Sequence, residues 1–135
     1  MAEKTLTVAV MDAPYEAAAS TTAMRIVAAA LRRGVNVNVF AYEGAVSLTM
    51  KDQTPHANPV KGTSAEEEQH PTTKDLVAAL LALGWSEPKL TWVNCGLCVD
   101  ERGATSTIDG VKRGSPADFL QLALASTTTL VIPTR

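Results

Sequence analysis

The feature that most constrains this chain is a rhythm of apolar strands and helical stretches. "TLTVAVM", "VNVNVFAY", "KLTWVN" and "TTLVIP" are short, β-branched and apolar, and segments of helical periodicity separate them. Strands this apolar do not face water. Their alternation with helices predicts a mainly parallel sheet between two helical layers, an α/β fold of the three-layer α/β/α type. The chain has 135 residues and is 46% hydrophobic, which suits one domain with a real core. With only 4% aromatic residues, that core is built mostly from Ala, Val and Leu. We expect a single domain over residues 1–135.

The punctuation between strands is specific. Ser20 or Thr21 is the expected N-cap of a helix over residues 22–33, whose Met24, Val27, Ala28 and Leu31 share one face. Gly34 ends it, with Arg32 and Arg33 in the favourable last turn. "EGAVSLTM" reads as a short helix after the second strand. "KDLVAALLALGW" is a further helix, with Thr72 as N-cap, Asp75 in the capping-box position and Gly84 at its close. A short helix starts around Cys95. Ser115 and Pro116 open the last helix, "SPADFLQLALAS". Residues 51–73 break the rhythm. With three prolines and little to bury, they read as a long loop or insertion.

Several function classes lose support at once. A formal charge of -2 gives no electrostatic capture of nucleic acid. No apolar run approaches the roughly 20 residues that span a bilayer. There is no P-loop and no G-x-G-x-x-G. "MAEKTLTVAV" lacks a signal-peptide h-region, so a cytoplasmic location is expected, where structural disulfides are unusual.

In a sheet of this kind, reactive groups collect just past the carboxyl ends of the strands. Three segments fall there: Asp12 to Tyr15, Tyr42 to Gly44 and Asn94 to Cys98. The last holds the two cysteines of the chain, Cys95 and Cys98, in "WVNCGLCVDERG". Their C-x-x-C spacing admits four readings. Cysteine is often a small buried hydrophobe, although the polar neighbours Asn94, Gly96, Asp100, Glu101 and Arg102 suggest a surface for Cys95. A zinc site needs further ligands, and His56 and His70 lie in the atypical 51–73 stretch. A thioredoxin-like dithiol fits the strand-to-helix junction but lacks that family's intervening Pro. A persulfide carrier needs an accessible thiolate. The first turn of a helix, with Arg102 on the same face and no side chain on Gly96, would favour one.

The chain resembles the DsrE/DsrF-like family of sulfur-relay proteins. "DAPYEAAASTTAMRIVAAALRRGVNVNVFAYEGAV" is similar to the family's opening β-α-β unit. "VNCGLCVDERG" is similar to its reactive-cysteine segment, in which a cysteine precedes an Arg-Gly. "ADFLQLALASTTTLVIPTR" is similar to its closing helix and strand. The resemblance puts Cys95 in the place of the sulfur-carrying cysteine. Cys98 has no counterpart in TusD-type members and enters as an auxiliary thiol. The resemblance implies a trimeric, dimeric or hexameric assembly, and a homo-oligomer, trimer or hexamer, is expected. It also implies persulfide transfer in exchange with a TusA-like carrier, a sulfurtransferase chemistry without cofactor or metal. Tyr15, Tyr42, Glu43, Asn94, Gly96 and Arg102 are the candidate pocket residues. Asp12, Glu43, His56 and His70 are candidates for proton transfer, and "EEE" at 66–68 reads as a solvated face. The competing class is a non-catalytic oligomeric module that binds a small ligand or partner, with incidental cysteines. A C-x-x-C redox protein is the other alternative.

Overall fold

The computed structural model describes residues 3–55, 62–64, 66 and 71–134. In chain order the elements are β1 (Thr5–Val10), α1 (Ala19–Arg32), β2 (Asn36–Ala41), a 3-10 helix (Glu43–Thr49), α2 (Thr73–Leu83), β3 (Leu90–Cys95), α3 (Gly96–Arg102), β4 (Val111–Gly114), α4 (Pro116–Leu124) and β5 (Thr128–Ile132). The strands form one five-stranded sheet in the order β4-β3-β2-β1-β5, and every pairing is parallel. This is the expected three-layer α/β/α architecture.

The connections decide which face each helix covers. From β1 the chain steps outward through β2, β3 and β4, then returns past β1 to lay β5 on its far side. Right-handed crossovers in opposite directions put α1 and α2 on one face and α4 on the other. On the first face, Val8, Val10, Val37, Val39, Leu90 and Trp92 pack against Met24, Val27 and Leu31 of α1 and Val77 and Leu80 of α2. On the second, Phe40, Val93 and Cys95 pack with Cys98 and Val99 of α3, and with Phe119 and Leu122 of α4. The first face holds the larger cluster. The second is thinner and partly polar: Thr7 hydrogen-bonds Ser126, and Asn38 donates to Thr7 Oγ1 at 3.2 Å. None of the residues of α4 is fully buried.

Local signals explain most boundaries. Ser115 and Asp118 form a complete capping box at the start of α4, with Pro116 in the first turn. Gly34, at φ 80°, takes the left-handed conformation that ends α1. Two expectations need correction. Helix α1 is capped by neither Ser20 nor Thr21. It opens earlier, with Ala18 as N-cap and no side-chain cap. Ser20 is buried instead and donates to the Asp12 carbonyl at 3.0 Å, tying the helix to the end of β1. At α2, Thr72 is the N-cap, but its hydroxyl donates to the Asp75 carboxylate at 2.8 Å and makes no cap to the backbone. The fifth strand, β4, was not expected from the sequence. It is four residues long, with a single apolar side chain, and pairing with β3 creates it.

Of residues 51–73, positions 56–61, 65 and 67–70 lie outside the described residues, and with them His56, His70 and two of the three glutamates at 66–68. The flanks are tied down. Gln53 donates to the carbonyls of Ser47 and Leu48 and accepts from the Lys74 N–H at 2.9 Å, joining the 3-10 helix to α2.

Candidate functional site: a thiol pair at the carboxyl edge

Strand β3 ends at Cys95, and α3 begins at the next residue, with Cys95 as its N-cap in extended conformation. Strand alternation turns Cys95 to the second face, beside Val93 and opposite Gly114 of β4. Cys98, one turn on, enters the same cluster. Both thiols are free and both are buried, at 1% and 4% exposure. The polar neighbours in the sequence had suggested a surface setting, and the structure overturns it. Asp100, Glu101 and Arg102 point outward, while Phe40, Val46, Val99 and Ala104 enclose the sulfurs.

The second sulfur is held by a strained residue. Glu43 follows β2 with φ 53°, in the left-handed region that non-glycine residues seldom occupy. That conformation directs its N–H at the Cys98 Sγ, 3.2 Å away. The Glu43 carboxylate accepts from Arg102 at 2.8 Å, and Arg102 also donates to the Cys98 carbonyl at 3.5 Å. Arg102 thus braces the β2 loop against α3. Burial raises the Cys98 pKa, the Glu43 N–H partly offsets this, and the neighbouring Cys95 thiol raises it further. Tyr42 has its phenol pushed up by the charge Cys98 gains once it ionises at alkaline pH, and by the Glu43 carboxylate.

The cation on the Cys95 side is Arg113, which the sequence analysis missed. It comes from β4 and lies over Gly96, where an added Cβ would stand 2.6 Å from its Nε. Gly96 therefore serves close packing of the guanidinium, and the sulfur is not left open by it. Arg113 makes a paired contact with Asp100, at 2.9 and 2.6 Å. The pairing raises the Arg113 pKa, with Cys95 adding to the rise, and lowers that of Asp100. The Asp100 charge, five residues on from Cys95, is thus neutralised by Arg113. Helix α3 has only seven residues, so its dipole is a lesser influence than a full charge.

The other candidates separate. A cavity of about 530 Å³ opens at this edge, with Asp12, Tyr42, Glu43, Ser47 and Arg102 among its lining. Glu43 stands between it and Cys98. Among the described residues, one buried oxygen of Asp12 meets no hydrogen-bond partner. Tyr15, at φ 66° and 61% exposure, reaches the Pro71 carbonyl and stands away from the thiols. Asn94 points to the first face, accepting from Trp92 Nε1 at 3.2 Å and donating to Thr49 at 2.9 Å, so it anchors the end of β3. A larger cavity, about 870 Å³, lies at the amino end of the sheet around Trp85, Lys89 and Asn36, remote from the cysteines. Among the described residues, no three His, Cys, Asp or Glu side chains gather as a metal cluster. Among them too, no helix is long and apolar enough to cross a membrane.

A parallel α/β/α sheet with a buried thiol pair at the carboxyl edge places the chain among three-layer α/β proteins with cysteines past a strand end. The DsrE/DsrF-like family model matches residues 4–132, and the chain belongs to that family. Membership points in general terms to sulfur relay. The fold is similar to the crystal structure of the YchN protein from E. coli, with a TM-score of 0.75 and 21% identity over 96% of this chain and 99% of that one. At that identity the likeness speaks for the fold alone. No curated protein matches the sequence.

Proposed function

We propose that this protein is a cytoplasmic sulfur carrier that holds sulfane sulfur as a persulfide on Cys95 and exchanges it with a TusA-like carrier. The observation that carries the reading is the position of Cys95: at the β3–α3 junction, beside Gly96 on which the Arg113 guanidinium lies, in a member of a sulfur-relay family. Loading is a thiol–disulfide type exchange. The Cys95 thiolate attacks the outer, protonated sulfur of a donor persulfide, forms Cys95–S–SH, which ionises to the persulfide anion by losing its proton to water, and releases the donor thiolate. Unloading is the reverse, with the acceptor thiolate attacking the outer sulfur and Cys95 leaving as thiolate. Arg113 faces negative charge throughout. Since Cys95 is 1% exposed, loading requires the cover over Gly96 to open. That cover is the solvent-exposed Arg113–Asp100 pair, which is weak and easily displaced by an anionic donor.

The carrier acts as a homo-oligomer, a trimer or hexamer, in this reading. Leu120 and Leu124 of α4 and Val131 of β5 are exposed on the thin second face, which supports a contact there. Intact-protein mass after incubation with polysulfide tests the function. One added sulfur atom, removed by reductant and absent in Cys95→Ser, is expected. Equal loading of wild type and Cys95→Ser would refute it.

A further inference from the structure

We infer that Cys98 is a resolving thiol, which lets this protein discharge its own persulfide as sulfide and end as a Cys95–Cys98 disulfide. The inference rests on the carrier reading above and adds an activity that a single-cysteine carrier cannot have.

The geometry carries it. Cys95 is the N-cap of α3 and Cys98 its third residue, the two positions whose side chains meet in a capping box. Both sulfurs lie in one apolar cluster, shielded from outside thiols, and they interact with one another. The Cys98 sulfur accepts from the Glu43 N–H at 3.2 Å, in a left-handed backbone conformation that a non-glycine residue seldom takes. Arg102 holds Glu43 in that position from α3 itself. A merely space-filling cysteine needs none of this.

The step balances without an outside oxidant. With the persulfide protonated as Cys95–S–SH, the Cys98 sulfur attacks the Cys95 Sγ. A Cys95–Cys98 bond forms, at the ordinary length of about 2.0 Å. The bond between Cys95 Sγ and the outer sulfur breaks, and its electron pair leaves with that sulfur. The Cys98 proton ends on the departing sulfide. The outer sulfur is reduced to sulfide, and the two cysteines are oxidised to the disulfide. A second turnover then needs a dithiol reductant. Burial keeps Cys98 protonated at neutral pH, which slows the internal step. A loaded carrier that meets an acceptor therefore passes its sulfur on. One that does not releases sulfide.

The test is a single-turnover discharge. Wild type, Cys98→Ala and Cys98→Ser are loaded with polysulfide, desalted into buffer without thiol, and followed by intact mass and by trapping of sulfide with an alkylating fluorophore. Thermal unfolding shows that each variant is folded, and having two variants guards against a defect peculiar to one. The expected result is that wild type loses its extra sulfur and releases about one equivalent of sulfide. Its mass ends two hydrogens below that of the dithiol. Both variants should keep the persulfide at least about tenfold longer. Wild type that keeps its persulfide, or variants that discharge as fast as wild type, would overturn the resolving role while leaving the carrier reading intact. If no form ever gains sulfur, the carrier reading itself is wrong, and the resolving role falls with it.

Discussion

At the scale of single residues, the site depends on charges that the chain brings from separate strands. Arg113 and Asp100 form the exposed pair over Gly96, and hydrogen bonding to Arg113 holds the Asp100 carboxyl below its usual range. The sign follows directly. A depressed carboxylate pKa means the pair persists as pH falls through the ordinary Asp range and is lost only below it. In Arg113→Gln, Asp100 should titrate in the ordinary range, as carboxyl NMR shifts would show. Loading of Cys95 by an anionic donor should slow relative to loading by a neutral one, by about tenfold, since one full charge near the sulfur is gone while the opened cover serves both donors equally. An unchanged Asp100 titration would mean that the pair does not form in solution.

At the scale of elements, two glycines at helix ends give opposite forecasts. At Gly84, the C-cap of α2, an added Cβ would stand 2.7 Å from the Leu90 backbone N, on a strand that cannot yield. At Gly96 the obstacle is the end of a flexible, exposed arginine. Gly84→Ala should cost about 1–3 kcal/mol in chemical denaturation, the range for overpacking, whereas Gly96→Ala should cost less and show itself in altered thiol reactivity. The start of α4 is a separate case. Its capping box satisfies backbone donors of a helix that buries little, so the cap matters more than usual. Ser115→Ala should lower stability by about 1 kcal/mol. A variant as stable as wild type would show that other contacts hold this end.

At the scale of the molecule, the imbalance between the two faces is the main feature. The return crossover leaves α4 as the cover of the second face, where Leu120, Leu124 and Val131 stay exposed at 57%, 77% and 51%. Burying each fully is worth about 1.5–3 kcal/mol, a substantial share of what association costs. Light scattering at micromolar concentration should therefore give a multiple of the chain mass. Leu120→Glu with Leu124→Glu should reduce it to one chain while circular dichroism keeps its helical signal. A monomeric wild type would show that this face remains solvated.

The sequence by itself determined the layers, because an apolar strand between amphipathic helices has one stable place, inside a covered parallel sheet. It also marked the close of α1 and α2 and the start of α4, where Gly34, Gly84 and the Ser115–Pro116 pair act within a few residues. It placed the cysteines at the carboxyl edge, since strand direction alone does that. Tertiary structure decided the rest. Strand β4 exists because β3 offers it hydrogen bonds, and four residues such as "VKRG" are too few for any period to show. Arg113 joins Cys95 only through that pairing, whereas Arg102, nearer in sequence, turns to Glu43. Tyr15 and Asn94, adjacent to the strand ends in sequence, leave the thiols because backbone conformation and strand alternation turn them elsewhere. The burial of both sulfurs is likewise a long-range result. Phe40, Val46 and Phe119 close over them from three separate segments, and no local pattern around "NCGLCVD" records what will be folded on top.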